Sequence, residues 1–188
     1  MTVGTGQAFV VSLPTEDHLF DSAVEVVAVL RKAGFETYVV GGAVRDLLRG
    51  QSPVEYDIAT AATPDAVTAL FRKTVQVGAR FGVVRVWKHG HEFEVATFRT
   101  ESGYSDGRRP DDVAFAGLHE DVSRRDFTIN GMVMDPMTGE GLDLVGGVAD
   151  LRDRLIRAIG EARERFAEDH LRMLRAARIG PKNASACA

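Results

Sequence analysis

The sequence predicts an α/β fold of the α+β kind, a mixed sheet flanked by helices, on three observations. A helical apolar period opens the chain. A buried strand then runs straight into a glycine pair and a short helix, and two later stretches of alternating residues fold back on themselves across glycine turns. A chain of 188 residues can bury one sizeable core and at most a second small lobe.

The elements follow in order. Residues 1–14 carry no clear periodicity and read as a lead-in. Thr15 is placed to cap a helix running to about Lys32, with Leu19, Ala23, Val26, Val27 and Leu30 on its inner face and Gly34 as its stop. Tyr38-Val39-Val40 is a buried strand, Gly41-Gly42 a turn, and Ala43 to Leu48 a short helix. Val54–Thr60 alternates like a half-buried strand, which sends Glu55 and Asp57 to one face and Tyr56 and Ile58 to the core. Thr63-Pro64-Asp65 starts the next helix, with cap and proline where a first turn takes them. After alternation at Val75–Val77, Phe81–Lys88 and Glu92–Arg99 pair across a turn at Gly90, with Phe93 and Val95 inward and Glu92 and Glu94 outward. Residues 100–117, rich in Gly, Ser, Asp and Arg, read as a long loop. Met132–Asp135 folds back on Gly141–Leu144 across Gly139, and Leu155–Ala158 forms another strand. Glu161 to Arg178 reads as one long helix that Gly180 and Pro181 break.

Composition narrows the class. Hydrophobic content of 45% and charged content of 27% fit a globular domain in water, and no apolar run approaches the ~20 residues of a membrane span. The amino terminus lacks the regions of a secretory signal. Cys187 is the only cysteine, which excludes a disulfide within the chain and fits a reducing cytoplasm. A net charge of −4 does not advertise a nucleic-acid binder, but Arg108-Arg109, Arg124-Arg125 and the run Arg172, Arg175, Arg178 allow a basic cleft on an acidic body.

The chemistry concentrates around the glycine pair. A strand-to-helix turn with two glycines leaves free N–H groups that attract anions, and Glu55 and Asp57 follow closely as a pair suited to a divalent metal. The glycines lack the G-x-G-x-x-G spacing of a dinucleotide fold, and no Gly-Lys-Ser/Thr marks a P-loop. Taken alone, Glu94 is a solvated glutamate on a polar strand face. The arginines after Asp169 are a solvated stripe, with Glu168 and Arg172 spaced for an i,i+4 pair.

Five stretches together carry a resemblance: Gly41-Gly42-Ala43-Val44-Arg45-Asp46; Glu55-Tyr56-Asp57; Arg124-Arg125-Asp126-Phe127-Thr128-Ile129-Asn130-Gly131; Asp143-Leu144-Val145-Gly146-Gly147 with Asp150-Leu151; and Glu168-Asp169-His170-Leu171-Arg172 with Arg175 and Arg178. In this order they resemble the motifs of the DNA polymerase β-like nucleotidyltransferases. More narrowly, they are similar to the head of class II tRNA nucleotidyltransferases (CCA-adding enzymes) and of bacterial poly(A) polymerases. The pattern departs at Glu55, where the family has Asp: the charge is kept and a methylene added.

The resemblance implies a palm-like head over residues 15–145 with a mixed, largely antiparallel sheet, a hinge and the start of a helical neck over 146–179, and an atypical tail over 180–188. It implies Mg2+ held by Glu55 and Asp57, with Glu94 as a third catalytic carboxylate. Gly41, Gly42, Arg45, Asp46, Arg125, Asp126 and Asn130 would lie at the triphosphate and sugar, and Asp169 and Arg172 at the base, supported by Arg175 and Arg178. The implied partners are CTP, ATP and the 3′ end of tRNA, in tRNA processing in the cytoplasm. Val77-Gly78-Ala79-Arg80-Phe81-Gly82 looks more like the tRNA enzymes than the poly(A) polymerases. The 100–117 loop matches the flexible loop of the family. The small-residue tail reads as a truncation, so a nucleotide-binding chain that does not extend tRNA is the competing expectation.

Overall fold

The computed structural model describes residues 6–77, 81–105, 107, 108, 110–183, 186 and 187. Residues 78–80 of the Val77–Gly82 segment, Arg109, and parts of the lead-in and tail lie outside the described residues. Along the chain the strands are β1 (Gln7–Val10), β2 (Thr37–Val40), β3 (Asp57–Thr60), β4 (Thr74–Val77), β5 (Val83–Lys88), β6 (His91–Thr97), β7 (Arg99–Ser102), β8 (Asp112–Phe115), β9 (Val133–Met134), β10 (Glu140–Asp143), β11 (Leu155–Ile156) and β12 (Ala186–Cys187). The helices are α1 (His18–Lys32), α2 (Gly42–Leu48), α3 (Pro64–Leu70), α4 (Leu118–Ser123), α5 (Gly147–Arg152), α6 (Ala162–Glu168) and α7 (Leu171–Asn183), with a 3-10 turn at Thr128–Asn130.

Among the described residues, eight strands form one sheet in the order β1-β10-β9-β2-β3-β6-β5-β4. Its neighbours are antiparallel except β3 and β6, which run parallel because α3, β4 and β5 intervene. The mixed, largely antiparallel sheet with flanking helices is therefore as expected. One face is covered by α1 and α3: Ala23, Val26, Val27 and Leu30 of α1 are fully buried with Val39, Ile58, Val84 and Val95 of the sheet. Each of these Val, Leu and Ile side chains contributes about 1.5–3 kcal/mol by leaving water. The opposite face packs Val40, Ala59 and Val133 against Phe98 and against Leu118 and Val122 of α4. A third cluster of Phe127, Ile129, Ile156 and Ile179 ties the 3-10 turn and β11 to α7.

Several elements depart from expectation, each for a physical reason. The lead-in contains β1, paired with β10. Only Phe9 of that strand is partly buried, so a pairing made far along the chain leaves no local period. Asp17 rather than Thr15 caps α1, accepting from the Leu19 and Phe20 N–H groups at 3.0 and 3.1 Å. Glu16 stands at φ 59°, which excludes a helix starting at Thr15. The Val54–Thr60 strand begins only at Asp57, whose partner Val40 is the last residue of β2 before the chain turns into α2. Glu55 thus precedes the strand. The alternation nevertheless holds, with Tyr56 and Ile58 buried, Asp57 half-buried and Glu55 exposed.

The 100–117 region is not a plain loop. Arg99–Ser102 pairs with Asp112–Phe115 as a two-stranded hairpin, held by charged side chains rather than an apolar face. The predicted long helix divides at Asp169, whose extended backbone ends α6 and whose carboxylate accepts the Leu171 N–H at 2.9 Å at the start of α7. Gly180 and Pro181 do not break α7, which continues to Asn183.

The turn into α5 is built by Asp143, which accepts the N–H groups of Val145, Gly146, Gly147 and Val148 at 2.8–3.1 Å. Gly147 must be glycine because a Cβ there would stand 2.2 Å from the Thr128 carbonyl oxygen. Gly147→Ala is therefore expected to destabilise the chain by about 1–3 kcal/mol through overpacking. A urea transition at the wild-type midpoint would show that this contact does not hold α5 against the 3-10 turn.

Candidate active site

The glycine turn lies where opposite charges face each other. Gly41 has φ +73°, and a Cβ on it would point between the Asp57 carboxylate, 3.8 Å away, and Nη1 of Arg125, 3.9 Å away. No other residue fits that backbone without strain while leaving the gap open. Beside it, Arg45 folds back along Gly42, donating to Asp46 through Nε at 2.9 Å and to Asn130 Oδ1 through Nη1 at 2.7 Å.

Parallel pairing assembles the carboxylates. Ile58 pairs with Val95, both buried, so Asp57 and Glu94, one residue earlier on each strand, are neighbours on the opposite face. Burial, then the charges of Glu55 and Glu94, push the Asp57 carboxyl up to about 6, against the pull of Arg125 and Arg175. Glu94 is half-exposed and shared with Arg85, its cross-strand partner, at 3.6 Å. Among the described residues no three His, Cys, Asp or Glu side chains come together closely enough to hold an ion unaided. The concentration of negative charge around Asp57 suits a hard divalent cation, which takes oxygen ligands.

Arginines line the other wall. Arg125 donates through Nε and Nη2 to Asp121 at 3.3 and 2.8 Å. Asp126 is buried and accepts from the Phe127 N–H at 2.7 Å and from Asn130 Nδ2 at 3.2 Å, and pairs with Arg175 Nη2 at 3.0 Å. It thereby braces Asn130 and Arg175 at the cleft. Arg172 is buried and donates to the Arg165 carbonyl and Glu168 at 3.0 and 2.9 Å, so the i,i+4 pair read from the sequence is present.

These residues surround two adjoining cavities. The larger, about 380 Å³, is lined by Gly41, Gly42, Asp57, Glu94, Arg125, Asp126, Asn130, Asp169, Arg172 and Arg175. The smaller, about 280 Å³, is lined by Arg45, Asp46, Glu55 and Arg178 and shares Gly42, Asp57, Asn130 and Arg175 with the first. All the candidate residues thus meet at one cleft, though Glu55 and Arg178 face its smaller lobe and Glu94 and Asp169 its larger.

Sequence reasoning missed part of the wall. Arg99, the last residue of the strand read from the sequence, and Glu101 and Tyr104, in the region read as a loop, also line the larger cavity, as does Arg124. Glu101 accepts from Arg99, Arg124 and the Tyr104 hydroxyl, the last at 2.8 Å. Arg99 and Glu101 stand two apart, as on one face of a strand, and that was the signal available.

This fold and cleft define a nucleotidyltransferase head. Residues 37–157 match the poly(A) polymerase head domain family, and the chain belongs to that family. It is 50% identical over 162 residues to the CCA-adding enzyme of Lactobacillus helveticus, and 48% identical over 168 residues to that of Lactiplantibacillus plantarum. These alignments cover 86% and 89% of this chain, which spans about 40% of the length of either relative. Among solved structures, the Bacillus stearothermophilus CCA-adding enzyme in complex with CTP superposes with a TM-score of 0.82 at 42% identity, covering 92% of this chain and 41% of that one. The Thermotoga maritima CCA-adding enzyme complexed with tRNA matches with a TM-score of 0.68 at 25% identity, over 88% and 38%. No helix among the described residues is long and apolar enough to cross a membrane.

The Asp57 environment has a stability consequence. Its folded value of about 6 lies above the 3.8 of an unperturbed aspartate, so the fold prefers the protonated acid. The preference is satisfied below pH 4, is lost as pH rises through 6, and then amounts to roughly 2–3 kcal/mol. In the absence of metal and nucleotide, Asp57→Asn should raise stability at pH 7.5 by up to about that amount and change it little at pH 4. Urea unfolding at both pH values checks this. Equal stability of the two chains at pH 7.5 would contradict it.

Proposed function

We propose that the chain is a tRNA 3′-terminal nucleotidyltransferase of the CCA-adding kind, transferring CMP and AMP from CTP and ATP to the 3′-hydroxyl of tRNA with release of pyrophosphate. The observation that carries this reading is the half-buried Asp57, with Glu55 and Glu94 beside it, across one cleft from Arg125, Arg172 and Arg175. A triphosphate suits such walls: its charge would be drawn to the arginines, and an accompanying cation to the carboxylates.

Placement along the two lobes supports a role for each residue. Glu55 and Asp57 would hold magnesium, which when bound supplies positive charge that activates the attacking hydroxyl and stabilises the leaving group. Glu94, solvent-facing and beside Asp57, is placed to orient the attacking hydroxyl or take its proton. The Gly41-Gly42 backbone, Arg45 and Arg125 bind phosphates, while Asp126 holds Asn130 and Arg175 against ribose and phosphate. Asp46 fixes Arg45.

Asp169 and Arg172 stand together at the start of α7 on the larger lobe, an acceptor and a planar donor suited to the edges of cytosine and adenine. Arg175 and Arg178 support them. The relatives reported above are CCA-adding enzymes, which favours this reading over poly(A) synthesis within the same family.

Incorporation of labelled CMP and AMP into tRNA lacking its terminal CCA tests the proposal. Magnesium-dependent incorporation is expected, abolished by Asp57→Ala and maintained or raised by Glu55→Asp, the shorter ligand. Asp169→Ala should relax the preference for CTP and ATP over UTP and GTP, because a site built for specific hydrogen bonds discriminates by large factors only while intact. Full activity in Asp57→Ala would remove the metal assignment. An unaltered base preference in Asp169→Ala would remove α7 from base selection.

A further inference from the structure

Asp121 is the most completely buried charge near the cleft, and nothing in the proposed chemistry uses it. It lies on α4, behind the arginine wall. Its Oδ2 accepts Nε and Nη2 of Arg125 at 3.3 and 2.8 Å, and its Oδ1 accepts Nε and Nη2 of Arg124 at 3.0 and 2.6 Å. The Arg99 N–H also donates to Oδ1, at 3.3 Å. One carboxylate therefore grips two successive guanidiniums, each along the same edge. Burial by itself would raise this carboxyl, but Arg125 and Arg124 outweigh it and hold the group below the usual carboxylate value.

The geometry on Arg125 gives the grip a purpose. Nε and Nη2 are taken by Asp121, and Nη1, the donor left over, is the atom that stands 3.9 Å from the point a Cβ on Gly41 would occupy. A guanidinium held along one edge cannot swing away, and its remaining amino group is aimed at the glycine turn and Asp57. The other arginine completes the frame: Arg124 donates Nη1 to Glu101 of the hairpin at 3.0 Å, and its carbonyl accepts from Arg165 and, at 3.4 Å, from Arg172.

We propose that Asp121 is a positioning residue for the nucleotide site: it locks Arg125 so that Nη1 is presented to the phosphates of the bound nucleoside triphosphate at the Gly41 turn. This rests on the nucleotide-site reading above. A preorganised donor loses no side-chain freedom when the ligand arrives, so loosening it lowers affinity although Asp121 itself touches no ligand.

A double-mutant cycle on the full chain tests this, with CTP and magnesium as the probe and titration calorimetry as the readout. Asp121→Asn keeps the shape and removes the charge. It should weaken CTP binding on the order of tenfold, as should Arg125→Ala. Because both changes remove one interaction, the double variant should bind no worse than Arg125→Ala alone, whereas a merely structural role would make the two losses multiply. Multiplying losses, or wild-type affinity in Asp121→Asn, would overturn the inference while leaving the nucleotide site in place. A wild-type chain that binds no CTP would remove the site itself.

Should Asp121→Asn not fold, Arg125→Lys decides. Lysine keeps the charge but offers no planar fork to grip. Binding as weak as in Arg125→Ala supports the lock, and wild-type binding overturns it.

Discussion

Everything at the cleft depends on one pairing, the parallel alignment of β3 with β6. It seats Ile58 and Val95 in the core and, by strict alternation, sets Asp57 beside Glu94 on the other face. Withdrawing Asp57 from solvent, with the like charges of Glu55 and Glu94 close by, is unfavourable, and the raised Asp57 carboxyl records it. Natural folds tolerate such a cost where it is recovered on binding. The sheet itself is secured by α1 and α3 through apolar contacts that the carboxylates do not share, so it can bear the penalty.

The opposite wall solves the converse problem. Arg99, Arg124, Arg125, Arg165 and Arg172 are crowded and largely withdrawn from water, which pushes Arg99 and Arg165 below the usual guanidinium range. Asp121, Glu101 and Glu168 lie among them, each bonded to two or more arginines. Breaking one member of such a network leaves its partners buried and uncompensated, which costs far more than an exposed ion pair. The wall also joins elements distant in sequence: the β7–β8 hairpin through Glu101, α4 through Asp121, and the α6–α7 junction through Arg165 and Arg172. The backbone N–H of His170 adds a bond to the Gly107 carbonyl at 3.1 Å, from that junction to the hairpin tip.

Legibility in the sequence followed the range of the interactions. The α1 stripe, the β2 turn into α2, the Thr63-Pro64 start of α3 and the β5–β6 hairpin are written in local periods and turn residues, and the structure places them within a few residues of expectation. β1 and the β7–β8 hairpin were illegible because their partners, respectively distant strands and charged side chains, leave no apolar rhythm. Asp17 displaced Thr15 as a cap because Glu16 takes a left-handed backbone, which no residue preference announces. For the site, motif order identified the residues that line the cleft, but not their burial. Arg172 read as one of a stripe of exposed arginines, yet only Arg175 and Arg178 are exposed, because the chain breaks at Asp169 and turns Arg172 inward. Asp121 had no signature at all: one acidic residue on a short helix acquires meaning only when two arginines close over it.

The proposed function requires the negative charge concentrated at Asp57 to receive a cation accompanied by a nucleoside triphosphate. Carbon-13 NMR titration of the Asp57 carboxyl, with and without magnesium and CTP, addresses it most directly. The expected midpoint is near 6 in the free chain and falls well below that once magnesium and CTP are present, since a bound cation favours the ionised form. A carboxyl that titrates at the same pH with and without magnesium and CTP would contradict it.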